Sequence, residues 1–446
     1  MAGTPRFEHL SNEVILLIFK SFSDFRPLES LALTCKTTYH LFVAVQPILV
    51  KKTLTNCIGA NLLPEASWAW NCSPLEYPAE YVPNTQVVDF GDVTYEVLRM
   101  FAKSFLATRV PEMDALQISY EDARDLAAFH NDTLEPLFVR FVRHCRKMND
   151  GPLSQSLDSN PVTDLEKDRI MRAFYRWELF CKLYGGRRGD VGLNTYQVLL
   201  DRFHVPFFQR FAPWEIVQIS CIHDFLAREV GICWREYQLF RDPTLTRNWT
   251  SLIRERFVPY SELQGYLSMG LTWLSNLLST PSRNEQARIA RFGHILRSNH
   301  ESFWYSAMCN RGFSAPRPFT SAILDNNAAF DDGDVGAETL WDYRGHTTAV
   351  DYPLYDDYDW GHRGWGYLFW DRQRLEELNA FVNIWGVREA ARRIPVAEPS
   401  EDGEIVEPVD HVVAQETEAL MIEFNPDLLL GPEDFEVDHD IFHFHD

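Results

Sequence analysis

The sequence has no lysine or arginine after Arg393, although acidic residues continue to its end. Residues 394–446 contain sixteen Asp and Glu and carry most of the formal charge of −22. The preceding residues hold 42 basic and 48 acidic side chains, a net charge of −6. Nucleic-acid and polybasic membrane binding both require a clustered basic surface, which such a balance does not provide. The sequence therefore predicts no nucleic acid and no membrane among the partners, and an acidic, largely flexible tail over residues 394–446.

Long apolar runs and paired cysteines are also missing. No stretch of eighteen or more consecutive apolar residues is present, and the N-terminus lacks a charged segment followed by a sustained apolar one. The eight cysteines form no C-x-x-C pair and have no histidine at zinc-finger spacing. Scattered cysteines of this kind are typical of reduced, buried thiols. These absences predict a cytoplasmic or nuclear protein.

The common catalytic and cofactor signatures are absent as well. The sequence has no G-x-S-x-G, H-E-x-x-H, Walker A or dinucleotide fingerprint. The acidic stretch "DNNAAFDDGDVGAE", residues 325–338, fails as a calcium loop because Ala328 stands where the first oxygen ligand is required. We therefore predict no metal, no cofactor and no enzymatic activity. The alternative is an enzyme whose site follows no known motif, with His362 and Asp359 as the candidate pair.

Apolar periodicity predicts an all-α protein. Apolar residues recur at i, i+3, i+4 and i+7 through most of residues 94–393, as in "TDLEKDRIMRAFYRWELFCKLYG", where Thr163 and Glu166 form a capping box. The only strand candidate is the short "TQVVDF", residues 85–90. No longer repeat is present, which excludes a propeller or a regular solenoid. We expect an irregular, mainly α-helical body over 94–393, with a loop over 325–366 and a helix resuming over 371–385.

Three short helices are predicted ahead of this body, over residues 12–22, 28–35 and 36–45. Ser11 is expected to cap the first helix, Pro27 to set the start of the second, and Pro47 to end the third. The first helix, "NEVILLIFKSF", is apolar on so much of its surface that it needs cover from more than one side. Residues 51–93, broken by four prolines, are predicted to be a connector.

The N-terminal segment "LSNEVILLIFKSFSDFRPLESLALTCKTTYHLF", residues 10–42, resembles the F-box, a three-helix motif. The family pattern is Leu-Pro-x-Glu-(Ile/Val), then Ile-Phe, Leu-x-x-Leu and Cys-Lys. Ten residues stand in those places: Leu10, Glu13, Val14, Ile18, Phe19, Leu28, Leu31, Leu33, Cys35 and Lys36. Ser11 replaces the usual proline, and Thr38 replaces the usual tryptophan. The resemblance assigns residues 8–50, less than a tenth of the chain, to an F-box.

In that family the motif docks on the Skp-type adaptor of a cullin-RING (SCF) ubiquitin ligase. The resemblance thus implies a substrate-recognition adaptor that reaches a cullin through a Skp-type partner. The side chains implied to face that partner are Leu10, Val14, Ile15, Ile18, Phe19, Leu28, Leu31 and Leu33. Two alternatives are an F-box scaffold that works without a ligase and an N-terminal cap that packs only on its own body.

The body offers a looser resemblance and a candidate target-binding loop. The segments "RAFYRWELFCKLYG", "FAPWEIVQISCIHDFL" and "GWGYLFWDRQRLEEL" are similar to the bodies of F-box-like proteins of filamentous fungi, which implies that the body selects a target protein. In "DYDWGHRGWGYLFW", residues 357–370, rigid aromatics and an arginine match the composition of interface hot spots. The target-binding candidates are Trp360, His362, Arg363, Trp365 and Tyr367. The alternative is that this loop folds back into the core.

Overall fold

The structure is a computed structural model that describes residues 10–72, 118–149, 151–184, 207, 211–241, 265–280, 286, 332–343 and 363–381. Every regular element in these residues is helical, which confirms the predicted all-α fold. All of them belong to one compact unit, Met1–Trp385. The acidic tail, the strand candidate at 85–90 and the connector beyond Cys72 lie outside the described residues.

The helices of the described residues are numbered here in chain order. They are α1 (Asn12–Ser21), α2 (Phe25–Ala32), α3 (Lys36–Ile58), α4 (Leu63–Asn71), α5 (Tyr120–Phe129), α6 (Glu135–Met148), α7 (Pro152–Ser159), α8 (Asp164–Tyr184), α9 (Pro213–Arg241), α10 (Leu271–Ser279), α11 (Gly336–Tyr343) and α12 (Arg372–Glu377). A single π-helical turn, His130–Leu134, joins α5 directly to α6.

The N-terminal head, residues 10–50, contains α1, α2 and the first part of α3. Helices α1 and α2 both pack on α3, and the ring centroids of Phe19 and Phe42 lie 6.0 Å apart. Helix α5 holds the head on the body: the ring of Tyr120 packs edge-on against Phe25 and Phe42, and its hydroxyl donates a 2.8 Å hydrogen bond to Glu29. One side of the head is therefore covered by the protein's own body.

The two residues that depart from the F-box pattern both lie at helix starts. Ser11 occupies the N-cap of α1 with an extended backbone, but its side chain makes no capping bond, contrary to the expectation. Its hydroxyl instead hydrogen-bonds Glu13 and lowers the pKa of that carboxyl. Thr38 is fully buried, and its Oγ1 lies 2.8 Å and 3.1 Å from the carbonyl oxygens of Cys35 and Ala32. It also accepts the N–H of Cys35 at 3.2 Å, which completes a capping box for α3.

Helix α3 does not end before Pro47 as predicted. The helix kinks at Val45, whose φ of −123° and ψ of 15° are not helical, and then continues to Ile58. Pro47 falls in the first turn after the kink, where a proline needs no N–H partner, so it bends the helix without stopping it. Residues 51–58 and 63–71 of the predicted connector consequently belong to α3 and α4.

Length and composition alone would allow α3 to cross a membrane, with a mean hydropathy of 1.2 over its most apolar eighteen-residue window. The helix packs against α1, α2, α4 and α5.

Helix α8 lies at the centre of the body, where it packs against α4, α6 and α9. It buries large aromatic side chains on several sides, among them Phe174, Tyr175, Trp177 and Phe180. A helix that is apolar nearly all round belongs in a core, and α8 follows that rule. The helix predicted in "TDLEKDRIMRAFYRWELFCKLYG", residues 163–185, is confirmed as α8.

Two predictions near the end of the described chain are wrong. The loop predicted over 325–366 contains a helix, α11. The helix predicted over 371–385 ends at Glu377, because Asn379 adopts a left-handed conformation with φ of 52°. The N–H groups of Asn379 and Ala380 donate to Glu376 and Leu375 at 3.0 Å and 2.9 Å, the hydrogen bonds of a Schellman ending.

Candidate functional site

The structure separates the eight side chains implied to face a Skp-type partner into buried, partly buried and exposed ones. Ile15, Phe19 and Leu28 are fully buried inside the chain and offer no surface to a partner. Ile18 and Leu31 are partly buried. Three are exposed by 38%, 41% and 74%: Leu10, Val14 and Leu33. The sequence pattern did not separate the buried from the exposed side chains, because helix α1 is apolar on both the inner and the outer side.

The outer side of the head carries further exposed apolar residues that the sequence analysis missed. Leu17 is 67% exposed and lies one helical turn after Val14, on the face of α1 opposite Phe19. Tyr39 and Val43 form a similar pair on α3, spaced i and i+4. We call these residues the exposed head residues: Leu10, Val14, Leu17, Leu33, Tyr39, Val43 and Ile48. The signal in the sequence that could have identified Leu17 is its position one helical turn after Val14.

The described part of the predicted target-binding loop is core. Trp360, His362 and the alternative catalytic residue Asp359 lie outside the described residues. Arg363 and Tyr367 are 1% and 0% exposed, so they present no surface to a target, and the prediction for them is wrong. Trp365 is partly buried and packs against the core. A loop this rich in aromatic residues gains more by burying them than by leaving them in water.

An ion pair holds this loop on α9. The Nε atom of Arg363 lies 2.8 Å from Oδ2 of Asp224, and Nδ1 of His223 lies 2.9 Å from Oδ1 of the same carboxylate. Burial by itself raises the pKa of Asp224, but Arg363 and His223 outweigh it and bring the pKa to about 2. Gln218 adds a 2.7 Å hydrogen bond to the carbonyl of Leu368. This arrangement positions the chain and leaves Asp224 permanently ionised near neutral pH.

Helix α8 carries a second set of buried charges along one face. Glu166, Arg169, Arg172 and Arg176 follow one another at spacings of three or four residues. Arg169 contacts three carboxylates, those of Asp332 at 2.6 Å, Asp371 at 2.9 Å and Asp334 at 3.2 Å. Two aspartates of the acidic stretch that fails as a calcium loop, Asp332 and Asp334, therefore pair with Arg169.

The same face of α8 connects α4 to α9. Glu65 of α4 forms ion pairs with Arg172 at 2.8 Å and with Arg176 at 2.6 Å, and Arg176 also pairs with Glu215 at 2.8 Å. The guanidinium of Arg176 lies 4.4 Å from the ring centroid of Phe211. Buried charges of this kind are tolerated because they are paired and hydrogen-bonded. Sequence analysis did not single out these arginines, since periodicity does not show which face of a helix a neighbour covers.

No cluster of three or more His, Cys, Asp or Glu suited to a metal ion occurs in the part of the chain that the structure describes. The seven cysteines within it are free thiols, four of them buried. Its buried carboxylates and arginines serve to position helices and loops, whereas its exposed head residues are available for contact. No protein-family model, no curated protein and no solved structure matches the chain.

Proposed function

We propose that this chain is an F-box adaptor of an SCF-type ubiquitin ligase, whose N-terminal head binds a Skp-type partner and whose helical body positions a target protein. The observation that carries the proposal is the set of exposed head residues, which lies in the segment that resembles the F-box. Leu17 and Leu33 alone are 67% and 74% exposed. The role requires no nucleophile or cofactor from this chain, since other subunits of such a ligase perform the transfer.

The physical argument rests on the two sides of helix α1. Ile15 and Phe19 are covered by the protein itself, so they stabilise the head whether or not a partner is present. Val14 and Leu17 on the opposite side remain in water. Burying a leucine side chain contributes about 1.5–3 kcal/mol, so covering the outer side with partner helices yields binding energy that the head cannot obtain alone.

The test compares two variants with the same change in charge, each replacing two exposed aliphatic side chains with aspartate. In the head variant, Leu17→Asp and Leu33→Asp place charges among the exposed head residues. In the control variant, Val139→Asp and Ile232→Asp alter body residues that are 51% and 45% exposed. We expect the head variant to lose co-purification with a Skp-type adaptor because its carboxylates would be buried unpaired at the contact, while the control keeps it.

Thermal unfolding of both variants checks that the fold is intact. We expect it to be intact because the substituted residues are exposed. Equal adaptor recovery by the head and control variants would contradict the proposal. Cullin recovered together with the adaptor distinguishes a ligase subunit from a scaffold that binds the adaptor alone. A target protein whose lifetime lengthens in cells carrying the head variant gives the same distinction.

A further inference from the structure

Helix α6 carries a basic stripe on an otherwise acidic chain. Arg140, Arg143 and Lys147 occur at i, i+3 and i+7 and so lie on one face of the helix. The opposite face is buried through Leu137, Phe141 and Cys145. Arg143 and Lys147 are exposed, and the side chain of Arg140 is 37% exposed. The stripe therefore meets solvent along its length.

Helix α9 extends this stripe into a wider surface. Nη1 of Arg140 lies 3.6 Å from Oε2 of Glu229 on α9. Burial raises the pKa of Glu229, whereas the positive charges of Arg140, Lys147 and Arg143 each lower it. All three cations therefore act on this one carboxylate, a net local charge of +2.

Two exposed aliphatic side chains border these cations. Val139 is 51% exposed and precedes Arg143 by one helical turn. Ile232 is 45% exposed and follows Glu229 by one turn on α9. We name the surface made of Arg140, Arg143, Lys147, Val139 and Ile232 the basic face. It combines positive charge with two separate apolar contact points.

We propose that the basic face binds an acidic peptide segment, with its carboxylate or phosphoryl groups on the cations and aliphatic side chains on Val139 and Ile232. Charge complementarity argues for this occupant, because Arg140, Arg143 and Lys147 outnumber the one carboxylate, Glu229, on which they act and so attract a negatively charged partner. The basic face fixes where the partner docks. Identifying this peptide as part of the ubiquitination target rests on the proposed function, whereas the binding itself does not.

The experiment measures fluorescence anisotropy of labelled synthetic peptides with the full-length protein. The probes are a peptide of glutamates with a leucine at every fourth position, its phosphoserine counterpart, and its glutamine counterpart. We expect the two acidic peptides to bind and the glutamine peptide to bind at least about tenfold more weakly. Raising the salt concentration weakens binding of the acidic peptides because the cations are exposed.

Matched charge reversals test the location. Arg143→Glu with Lys147→Glu alters the basic face, and we expect it to weaken binding of the acidic peptides about tenfold or more. The control, Arg124→Glu with Arg372→Glu, reverses two cations that are each 50% exposed on α5 and α12, and it should leave binding unchanged. Melting temperatures verify that both variants fold.

Equal peptide affinity in these two variants would overturn the proposal, as would tighter binding of duplex DNA or of vesicles rich in phosphatidylserine than of either acidic peptide. The head variant separates this inference from the proposed function. If the head variant still binds the acidic peptides and fails to bind the adaptor, peptide binding at the basic face and the ligase role both stand. If adaptor recovery is the same in the head variant and its control while the charge reversals lose the peptide, the basic face stands and the ligase role falls.

Discussion

Arg374 and Glu166, 208 positions apart in the sequence, form a buried two-point ion pair. Nε and Nη2 of the arginine lie 2.7 Å and 3.0 Å from the two carboxylate oxygens. The same carboxylate accepts the backbone N–H of Asp371 and that of Thr163, each at 3.0 Å. The glutamate that caps α8 therefore also holds the segment 363–381 against it. One residue serves local helix initiation and long-range attachment together.

Removing the charge of Glu166 should destabilise the whole compact unit. Glu166→Gln keeps the size of the side chain but leaves Arg374 buried without its counter-charge, which typically costs about 3–5 kcal/mol. The measurement is the free energy of unfolding in urea. The control is Glu376→Gln, which breaks an exposed i, i+4 pair with Arg372 and should cost no more than about 0.5 kcal/mol. Similar small effects for both variants would show that the buried pair contributes little.

Thr38 should act through its hydroxyl. Thr38→Val removes the hydrogen bonds to Cys35 and Ala32 at the start of α3, and we expect a loss of about 1–2 kcal/mol in unfolding free energy. Thr38→Ser keeps the hydroxyl and serves as the control, with a smaller loss. A valine variant as stable as the serine variant would mean that shape, and not hydrogen bonding, matters at this position.

Truncating a side chain should lower the stability of the protein on the buried side of α1 and hardly change it on the exposed side. Phe19→Ala removes a fully buried ring that packs near Phe42, and we expect about 3–5 kcal/mol of destabilisation. Leu17→Ala changes an exposed side chain and should alter the unfolding free energy by less than about 0.5 kcal/mol. If the proposed function holds, Leu17→Ala also weakens adaptor binding in titration calorimetry. A large stability loss in Leu17→Ala would place this side chain in the core.

His144 should make the protein less stable as the pH falls. Burial lowers its pKa to about 3, with Arg228 and Lys147 adding to the shift. In the unfolded chain its pKa is about 6.5, so below that pH the unfolded state binds a proton that the folded state does not, until the pH approaches about 3. His144→Phe abolishes this contribution and keeps an aromatic ring beside Phe225.

Urea unfolding at about pH 7 and about pH 4.5 measures the effect of that substitution. We expect the wild-type protein to lose more stability than His144→Phe between the two values. The same pH dependence in both proteins would show that His144 titrates normally in the folded state.

Local patterns predicted the elements whose causes are local. The capping box of Thr163 and Glu166 starts α8 as predicted, and the apolar period predicts α1 closely. Pro47 does not end α3 as predicted, because it lies in the first turn after the kink at Val45, where a proline needs no N–H partner. The ion pairs of the α8 arginines were not predicted, since their partners, Glu65 and Asp332 among them, lie far away in the sequence.

The sequence by itself determined the all-α class, the three helices of the head and the concentration of acidic charge in residues 394–446. These follow from periodicity, capping and composition, which act over a few residues at a time. Only the tertiary structure decided which side of α1 is core and which is exposed, and that Arg363 and Tyr367 are interior. The physical reason is that burial depends on which distant surface covers a side chain, and a pattern of neighbours along the chain carries no record of it.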